Sequence, residues 1–526
     1  NTLTYDNHAS EDHSIKVLLG QGAQQYRFYK MEATAENVPN TSEADHYLTL
    51  GDPGTRFATD EGSLSTVVSY FARVNYSFQD RYLLTASLRA DGSSKFGKDD
   101  RWGYFPSVGL GWVISEEGFM QNQDLFDNLK LRASWGKIGN SSVQSNTSVL
   151  RVTQTPAFTY VGGNGATLPG ASINTITPPT TVWEAGVGTD VGLEANFLDY
   201  RLYAEVDYYI KETQNAIFGI PILGSLGTSG STIIGNQATF RNSGVEFLLT
   251  WQDQPGNDFS YSVSANLAVN KNEVYEVSSG ANPIDQAVGT TGGAINTRTI
   301  VGEPIGQFYG YKVAGIFQSQ EDIDSYTSSD GQVIQPNAVP GDFKYADLND
   351  DGIIDGKDNT FLGNPNPKYL FGLNTNWKFK AFDVVLDFQG VAGVDVYNAN
   401  LGMRFGTENF TRDFYEHRWH GEGTSNEYPS ANIGGGQNYR SNSFYVEKGD
   451  YFRVRNIQLG FTLPSSVTDR WKIGSLRIYA NAQNALNFFS YRGMSPEVGG
   501  SPTRAGVDID VYPMFATYNL GVNVTF

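Results

Sequence analysis

The segment Ser69–Phe78, with the sequence SYFARVNYSF, presents two faces of different character. The apolar face carries Tyr70, Ala72, Val74, Tyr76 and Phe78, and the opposite face carries Arg73, Asn75 and Ser77. Because the side chains of a strand point alternately to its two faces, this period of two predicts a β-strand with one apolar face. The same pattern resumes at Tyr82, after residues 79–81, and the two segments together predict a hairpin.

The alternation recurs along the chain and predicts fifteen strands. They span residues 1–6, 14–21, 66–78, 82–92, 102–114, 128–136, 182–193, 200–211, 240–251, 259–270, 369–378, 382–391, 451–463, 475–485 and 513–526. Aromatic residues make up 13% of the 526 residues, and 58 glycines are present, which favours strands and turns over helices. The fold class predicted is therefore all-β.

The composition excludes several classes of protein. The chain has no cysteine, which excludes a disulfide scaffold, a cysteine-ligated metal site and thiol catalysis. A net charge of −19 is the opposite of the basic footprint of a nucleic-acid-binding protein. No run of apolar residues is long enough for a membrane-spanning helix.

The connections between the predicted strands alternate strictly in length. The short ones are 7–13, 79–81, 115–127, 194–199, 252–258, 379–381 and 464–474, and the long ones are 22–65, 93–101, 137–181, 212–239, 271–368, 392–450 and 486–512. All long loops therefore leave from one end of the strands. Outer-membrane barrels have this asymmetry, with short periplasmic turns and long extracellular loops, and strands in lipid must close into a barrel.

Both ends of the chain bear on this interpretation. The last strand stops on Phe526, and a terminal aromatic on an alternating strand is similar to the assembly signal of outer-membrane barrels. The chain starts at Asn1 without an initiator methionine or signal peptide, which indicates a mature chain or a fragment. Fifteen is an odd number, whereas single-chain bacterial barrels have an even number of strands, so we expect the chain to be the C-terminal part of a larger barrel.

The clearest signal for a binding site is the segment Asp347–Asp358, DLNDDGIIDGKD. Oxygen ligands fall at the spacing of a twelve-residue calcium loop, and Gly352 occupies the sixth position. The expected ligands are Asp347, Asn349, Asp351, the Ile353 carbonyl, Asp355 and Asp358. We expect calcium, or magnesium, to order the long loop 271–368 rather than to catalyse. The alternative is an acidic turn bonded to its own backbone.

No catalytic constellation is recognisable, and the chain is not expected to be an enzyme or to hold an organic cofactor. His417 and His420 form an H-x-x-H pair with Glu422 nearby, which we interpret as loop packing around Trp419 rather than a zinc site. Charged residues lie opposite the apolar stripe and predict a wet inner face. They are Arg73, Arg89, Asp91, Lys130, Arg132, Glu184, Asp190, Glu205, Asp207, Glu246, Asp383, Asp387 and Arg477.

Several motifs resemble the barrel of SusC/RagA-type TonB-dependent transporters of Bacteroidota. They are Phe78–Phe96, Trp102–Trp112, Leu129–Gly136, Gly341–Gly352, Tyr451–Ile457 and Arg477–Asn484. The resemblance runs through essentially all of residues 1–526. It implies a 22-stranded barrel in the outer membrane of a Gram-negative bacterium, of which this chain supplies the last fifteen strands. It also implies a plug and a TonB box outside these residues.

The resemblance further implies energy-coupled import. Its expected partners are a SusD-like surface lipoprotein that acts as a lid, TonB, and an oligosaccharide or peptide ligand, and it is compatible with a dimer of transporter–lid pairs. Two other functions remain open from the residues alone. One is a passive porin or adhesin barrel, and the other is a secreted calcium-binding, carbohydrate-binding β protein.

Overall fold

The computed structural model describes residues 1–8, 10, 12–38, 42, 46–143, 151–161, 167–176, 181–221, 232–278, 283–287, 294–402, 409–431 and 436–526. Within these residues the structure is mostly β. The strands are β1 Thr2–His8, β2 His13–Thr34, β3 Phe57–Phe78, β4 Tyr82–Ser93, β5 Trp102–Val113, β6 Asn128–Asn140, β7 Arg151–Val161, β8 Thr167–Ile176, β9 Glu184–Phe197, β10 Leu202–Pro221, β11 Thr232–Asp253, β12 Phe259–Val277, β13 Ile284–Ala287, β14 Ile295–Thr299, β15 Gln307–Tyr311, β16 Val313–Ile316, β17 Phe343–Tyr345, β18 Asn359–Gly363, β19 Tyr369–Phe379, β20 Phe382–Ala392, β21 Asp395–Asn398, β22 Arg418–Trp419, β23 Tyr428–Ser430, β24 Val446–Lys448, β25 Tyr451–Thr462, β26 Ser475–Phe489, β27 Val507–Asp508 and β28 Thr517–Thr525. The α-helices are α1 Gln320–Ser325, α2 Arg412–His417 and α3 Ser465–Thr468.

In the described parts of the chain, seventeen strands belong to one large sheet. Fifteen of them coincide with the fifteen predicted strands, which confirms the all-β prediction. The other two, β7 and β8, lie in the connection 137–181, which we predicted as loop. That prediction was wrong for these segments, because neither carries the regular alternation of apolar and polar residues on which it relied.

The chain forms two compact units. The first comprises Asn1–Leu110, Ser134–Val187 and Thr213–Gln237, and the second comprises Gly111–Ala133, Gly188–Glu212 and Ala238–Phe526. In the first unit, β2 pairs with β3 in one unbroken antiparallel register from His13↔Phe78 to Thr34↔Phe57. The predicted loop 22–65 therefore begins and ends as strand, and the hairpin is longer than a membrane crossing of about 9–11 residues requires.

In the second unit, neighbouring strands of the large sheet are antiparallel and follow chain order. The pairs are β11–β12, β12–β19, β19–β20, β20–β25, β25–β26 and β26–β28. One face of these strands exposes large apolar side chains: Leu249, Leu459 and Val522 are 51%, 55% and 56% exposed. An exposed apolar stripe on successive strands is what contact with lipid requires. Within the described residues, the helices are all too short or too polar to cross a membrane.

The connections after β12, β20 and β26 fold together, and we call the described parts of residues 278–368, 393–450 and 490–516 the rim assembly. Backbone pairing links them, since β21 pairs with β27 and Tyr311 forms a bridge with Asn442. Most of the deeply buried large side chains of the second unit lie in this assembly rather than on the long strands. They form three clusters, built around Phe308, Tyr397 and Tyr445, around Ile316, Phe343 and Tyr345, and around Phe317, Ile323 and Ala338.

Candidate functional site

The polar face of the second unit contains a dense charge cluster around Arg132, on β6. Its guanidinium lies 3.2 Å from Asp190, 2.8 Å from Glu194 and 2.8 Å from Asp207, and it also contacts Glu205. The carboxylates come from β9 and β10. One arginine thus neutralises part of the charge of four carboxylates that are 8–29% exposed, and in a partly desolvated site such contacts are strong.

A second polar element runs across five strands of the same face, and we call it the amide ladder. Asn519 donates to Asn481, Asn481 to Asn456, and Asn456 to one oxygen of Asp387. From the other side, Asn374 donates to the second oxygen of Asp387. Asp387 therefore lies where two series of amide donors meet, with both carboxylate oxygens in hydrogen bonds.

Two cavities open along this face. The first, of about 760 Å³, is bordered by acidic side chains that include Glu205, Asp207 and Glu246. The second, of about 800 Å³, is bordered by the part of the amide ladder from Asn519 to Asp387, together with Gln458, Gln483, Asn484 and Tyr479. Asp387 and Arg455 line both cavities. The wall is thus wet and rich in hydrogen-bonding groups, as the sequence predicted.

The structure pairs many of the inner-face charges that the alternation had placed on the polar side. Arg89 contacts Asp91, Lys130 contacts Glu194, and Arg477 contacts Asp383. Glu184 instead accepts hydrogen bonds from Asn140 and from the Ile217 amide. Neither the amide ladder nor Arg455 was predicted from the sequence. The amides lie on the polar side of predicted strands, but that signal does not show which residues meet. Strict alternation places Arg455 on the side of Ile457 and Leu459, so the strand pattern gave no signal for it.

The Asp347–Asp358 segment folds into a compact loop with hydrogen bonds at regular spacing. Asp347 Oδ2 accepts from the Gly352 amide at 2.8 Å, and Asp351 Oδ1 accepts from the Ile353 amide at 3.3 Å. Gly352 has φ +83°, a left-handed conformation that glycine adopts without strain. The other oxygen of Asp347, Oδ1, is buried and has no hydrogen-bond partner among the residues that the structure describes. This oxygen is therefore available for a cation.

Two further residues complete the loop. Asp358 is fully buried and accepts from the Leu348 amide at 2.9 Å and from the Asp355 amide at 2.8 Å. The Lys357 ammonium lies 2.9 Å from Asp351 Oδ2, and this hydrogen bond lowers the pKa of Asp351 below its ordinary value. The side chain of Lys357 thus stands where a cation bound by Asp351 would compete with it.

A set of three or more His, Cys, Asp or Glu side chains spaced for a metal ion does not occur in the described parts of the chain. In the Asp347–Asp358 loop the side chains instead bond to backbone amides and to Lys357. The donor set still fits a hard cation, since amide and main-chain oxygens supplement the carboxylates. The calcium assignment therefore stays a prediction.

The H-x-x-H pair is not brought together on one helix. α2 ends at His417, whose Nδ1 lies 2.9 Å from the Asp413 carbonyl oxygen, whereas the Nδ1 of His420 lies 3.0 Å from the Arg418 carbonyl oxygen. Between them, Trp419 packs against the cluster of Phe343 and Tyr345. The two histidines thus make separate local contacts, in line with loop packing.

Phe526 follows directly after β28, and its side chain is 95% exposed. The alternating residues before it, Leu520, Val522 and Val524, are exposed as well. This placement continues the apolar stripe to the final residue. The role of Phe526 in assembly stays a prediction.

An antiparallel sheet with one exposed apolar face and one wet, charged face defines a membrane β-barrel class of protein. The chain belongs to the family "TonB dependent receptor-like, beta-barrel", whose family model matches residues 1–485. TonB-dependent receptor P26 of Formosa agariphila is 32% identical over 536 residues, covering 100% of this chain and 53% of that protein. TonB-dependent receptor SusC of Bacteroides thetaiotaomicron is 28% identical over 492 residues, covering 90% of this chain and 45% of that protein.

Among solved structures, the RagAB peptide transporter is similar with a TM-score of 0.79 and 24% identity, covering 100% of this chain and 55% of the matched chain. This likeness confirms the fold. The recognition of a SusC/RagA-type TonB-dependent transporter is therefore confirmed. The chain spans about half the length of the relatives it matches.

Proposed function

We propose that this chain forms part of the barrel wall, and the rim assembly above it, of a TonB-dependent importer in the outer membrane of a bacterium of the Bacteroidota. The carrying observation is the family match over residues 1–485, on a sheet with one lipid-type and one wet face. The wet face gives a polar cargo hydrogen-bonding partners through the barrel, and an energised partner would supply the force that moves it.

The partners follow from the same proposal. A SusD-like lipoprotein would close over the rim assembly, and TonB would act through a plug that precedes the barrel in the complete transporter. The cargo would be an oligosaccharide or a peptide. The similar RagAB structure is that of a peptide transporter, whereas the motif resemblance covers importers of both ligand classes.

The test is uptake by cells that express the intact transporter. Labelled oligosaccharides and labelled peptides are supplied separately, with and without TonB and with and without a protonophore. We expect uptake of one class, and we expect loss of TonB or of the proton gradient to reduce it to the level of cells lacking the transporter. Uptake that ignores both treatments would instead support a passive porin.

We further propose that the Asp347–Asp358 loop binds Ca²⁺ and thereby stabilises the rim assembly. The unpartnered Asp347 Oδ1 and the fully buried Asp358 support this. Tyr326 donates to the Tyr345 carbonyl at 2.7 Å, and its hydroxyl lies 3.4 Å from the Asp347 amide nitrogen, so the loop is joined to the core of the assembly. Order in the loop would therefore spread to the clusters beside it.

Terbium, a calcium analogue that tyrosine sensitises, checks this prediction. We expect Tyr326 to sensitise terbium emission in the wild-type protein, calcium to displace it, and Asp358→Asn to weaken binding by about tenfold or more. Lys357→Gln should strengthen binding, because it removes the competing ammonium. Asp330→Asn, an exposed carboxylate of the same connection, serves as the control. Equal affinity in wild type and Asp358→Asn would contradict the assignment.

A further inference from the structure

Arg455 occupies an irregular position in the large sheet. On the β20 side, Asp387 pairs with Asn456 and Phe388 with Val454, so Arg455 is an extra residue without a partner. On the β26 side, Val454 pairs with Leu486 and Asn456 with Gln483, so Arg455 again falls in a register shift. A bulge of this kind re-aims a side chain, and bulges are common beside functional sites.

The strand opposite is also irregular at this point. Asn484 on β26 has φ +52°, the left-handed conformation, although it lies inside a strand. Such conformations in element interiors are uncommon and are concentrated where a side chain must be placed in a particular direction. Arg455 and Asn484 both line the second cavity. Two adjacent strands are therefore irregular at the place where both present a polar side chain to the same space.

The charge of Arg455 is not neutralised within the described protein. Four other arginines on the large-sheet strands of the second unit, Arg132, Arg241, Arg453 and Arg477, each contact at least one carboxylate. Arg455 makes no hydrogen bond or ion pair to any residue that the structure describes, and it is exposed. Its guanidinium is therefore free to bind a ligand, with a planar fork of donors that matches a carboxylate.

The surroundings of Arg455 suit an anionic group in the second cavity rather than in the first. The first cavity contains Glu205, Asp207 and Glu246, which repel anions. In the second cavity, Asp387 is the one carboxylate among the lining residues, and both its oxygens accept amide hydrogen bonds. Most of the other lining residues are amides, which hydrogen-bond to hydroxyl or peptide groups without adding charge.

We propose that Arg455, at the bulge of β25, is a binding site for a carboxylate of the transported ligand, held over the amide-lined second cavity. The inference rests on the proposed import function and specifies its cargo as a carboxylate-bearing chain. The carboxylate is the C-terminus of a peptide or the uronate of an acidic oligosaccharide. The amides beside it contact the neutral part of the same chain.

The experiment measures equilibrium binding to the full-length protein in detergent by titration calorimetry, so it requires no energy coupling. One arm compares tetraalanine with its C-terminal amide, and the other compares trigalacturonic acid with its methyl ester. We expect the acid of at least one pair to bind about tenfold more tightly than its neutral twin, which corresponds to about 1.4 kcal/mol. The arm that shows this preference identifies the source of the carboxylate.

Arg455→Gln should abolish the preference for the acid, and Arg455→Lys should retain part of it, because the charge remains while the bidentate geometry is lost. Lys378→Gln is the control. It removes a positive charge from β19, away from the second cavity, and should leave the preference for the acid intact. Correct folding of each variant is checked by its heat-modifiable mobility in gels. If Arg455→Gln does not fold, the wild-type pairs and Arg455→Lys decide.

Equal binding of acid and neutral twin in both arms would overturn the inference, and so would an acid preference that survives Arg455→Gln. Neither result would contradict the import proposal, which is tested separately by the dependence of uptake on TonB. Conversely, uptake without TonB would refute energy-coupled import while leaving the carboxylate site testable by binding.

Discussion

Replacing Arg132 with methionine is expected to lower the stability of the folded protein strongly, so that it unfolds at a clearly lower urea concentration. The substitution keeps a long apolar stem but removes the positive charge that contacts Asp190, Glu194, Glu205 and Asp207. Removing one partner of a buried ion pair costs about 3–5 kcal/mol, because the other charge stays desolvated and unpaired. Water reaches part of this cluster, so we expect a value near about 3 kcal/mol, still a large share of the usual stability of about 5–15 kcal/mol.

The measurement is the fraction of heat-modifiable, folded protein as a function of urea. A compensated variant, Arg132→Met with Glu205→Gln and Asp207→Asn, removes two of the uncompensated charges and should recover most of the loss. Arg477→Met is the matched control, since it leaves Asp383 as the one carboxylate that loses its contact, and it should shift the midpoint less. A compensated variant no more stable than Arg132→Met alone would show that charge repulsion is not the cause.

The strands could be predicted because the surroundings of each strand determine the pattern of residues within that strand. Lipid on one side and water on the other impose alternation on any segment that crosses the membrane, whatever its partners are. In the outer parts of β2 and β3 the side chains of both faces are exposed, and the sequence carries no such stripe. Their length is set by the continuous register from His13↔Phe78 to Thr34↔Phe57, which a pattern within one strand does not contain.

The same distinction separates the predictable and unpredictable parts of the candidate sites. The Asp347–Asp358 loop could be predicted because its contacts join residues only a few positions apart, such as Asp347 with Gly352. The amide ladder joins Asp387 to Asn456, which lies 69 residues later in the chain. Which residues of two strands meet depends on their register, and shifting the register changes every cross-strand contact. The bulge that leaves Arg455 unpaired is likewise a property of three aligned strands.

The rim assembly also depends on contacts between distant segments, and Phe343 lies at the centre of them. Its side chain is fully buried, its ring lies 5.2 Å from the ring of Phe444, and its amide donates to Asn438 at 2.8 Å. The neighbouring Tyr345 donates through its hydroxyl to the Gln437 carbonyl at 2.5 Å, and burial raises the pKa of Tyr345 so that this donor keeps its proton. The connection after β12 is thereby joined to the connection after β20.

Phe343→Ala is therefore expected to separate these two connections while the strands of the large sheet stay folded. Replacing a buried phenylalanine by alanine costs about 3–5 kcal/mol through lost burial and the cavity left behind. Limited proteolysis of the folded protein should then cut residues 294–368 and 409–431 much faster than in wild type, with unchanged heat-modifiable mobility. Val339→Ala, an exposed position of the same connection, is the control and should not alter the cleavage rate.

Unchanged cleavage in Phe343→Ala would mean that the hydrogen bonds and strand pairs of the assembly hold it closed without this ring. Accelerated cleavage that added Ca²⁺ slows would instead show that the Asp347–Asp358 loop and the Phe343 cluster stabilise one and the same folded body.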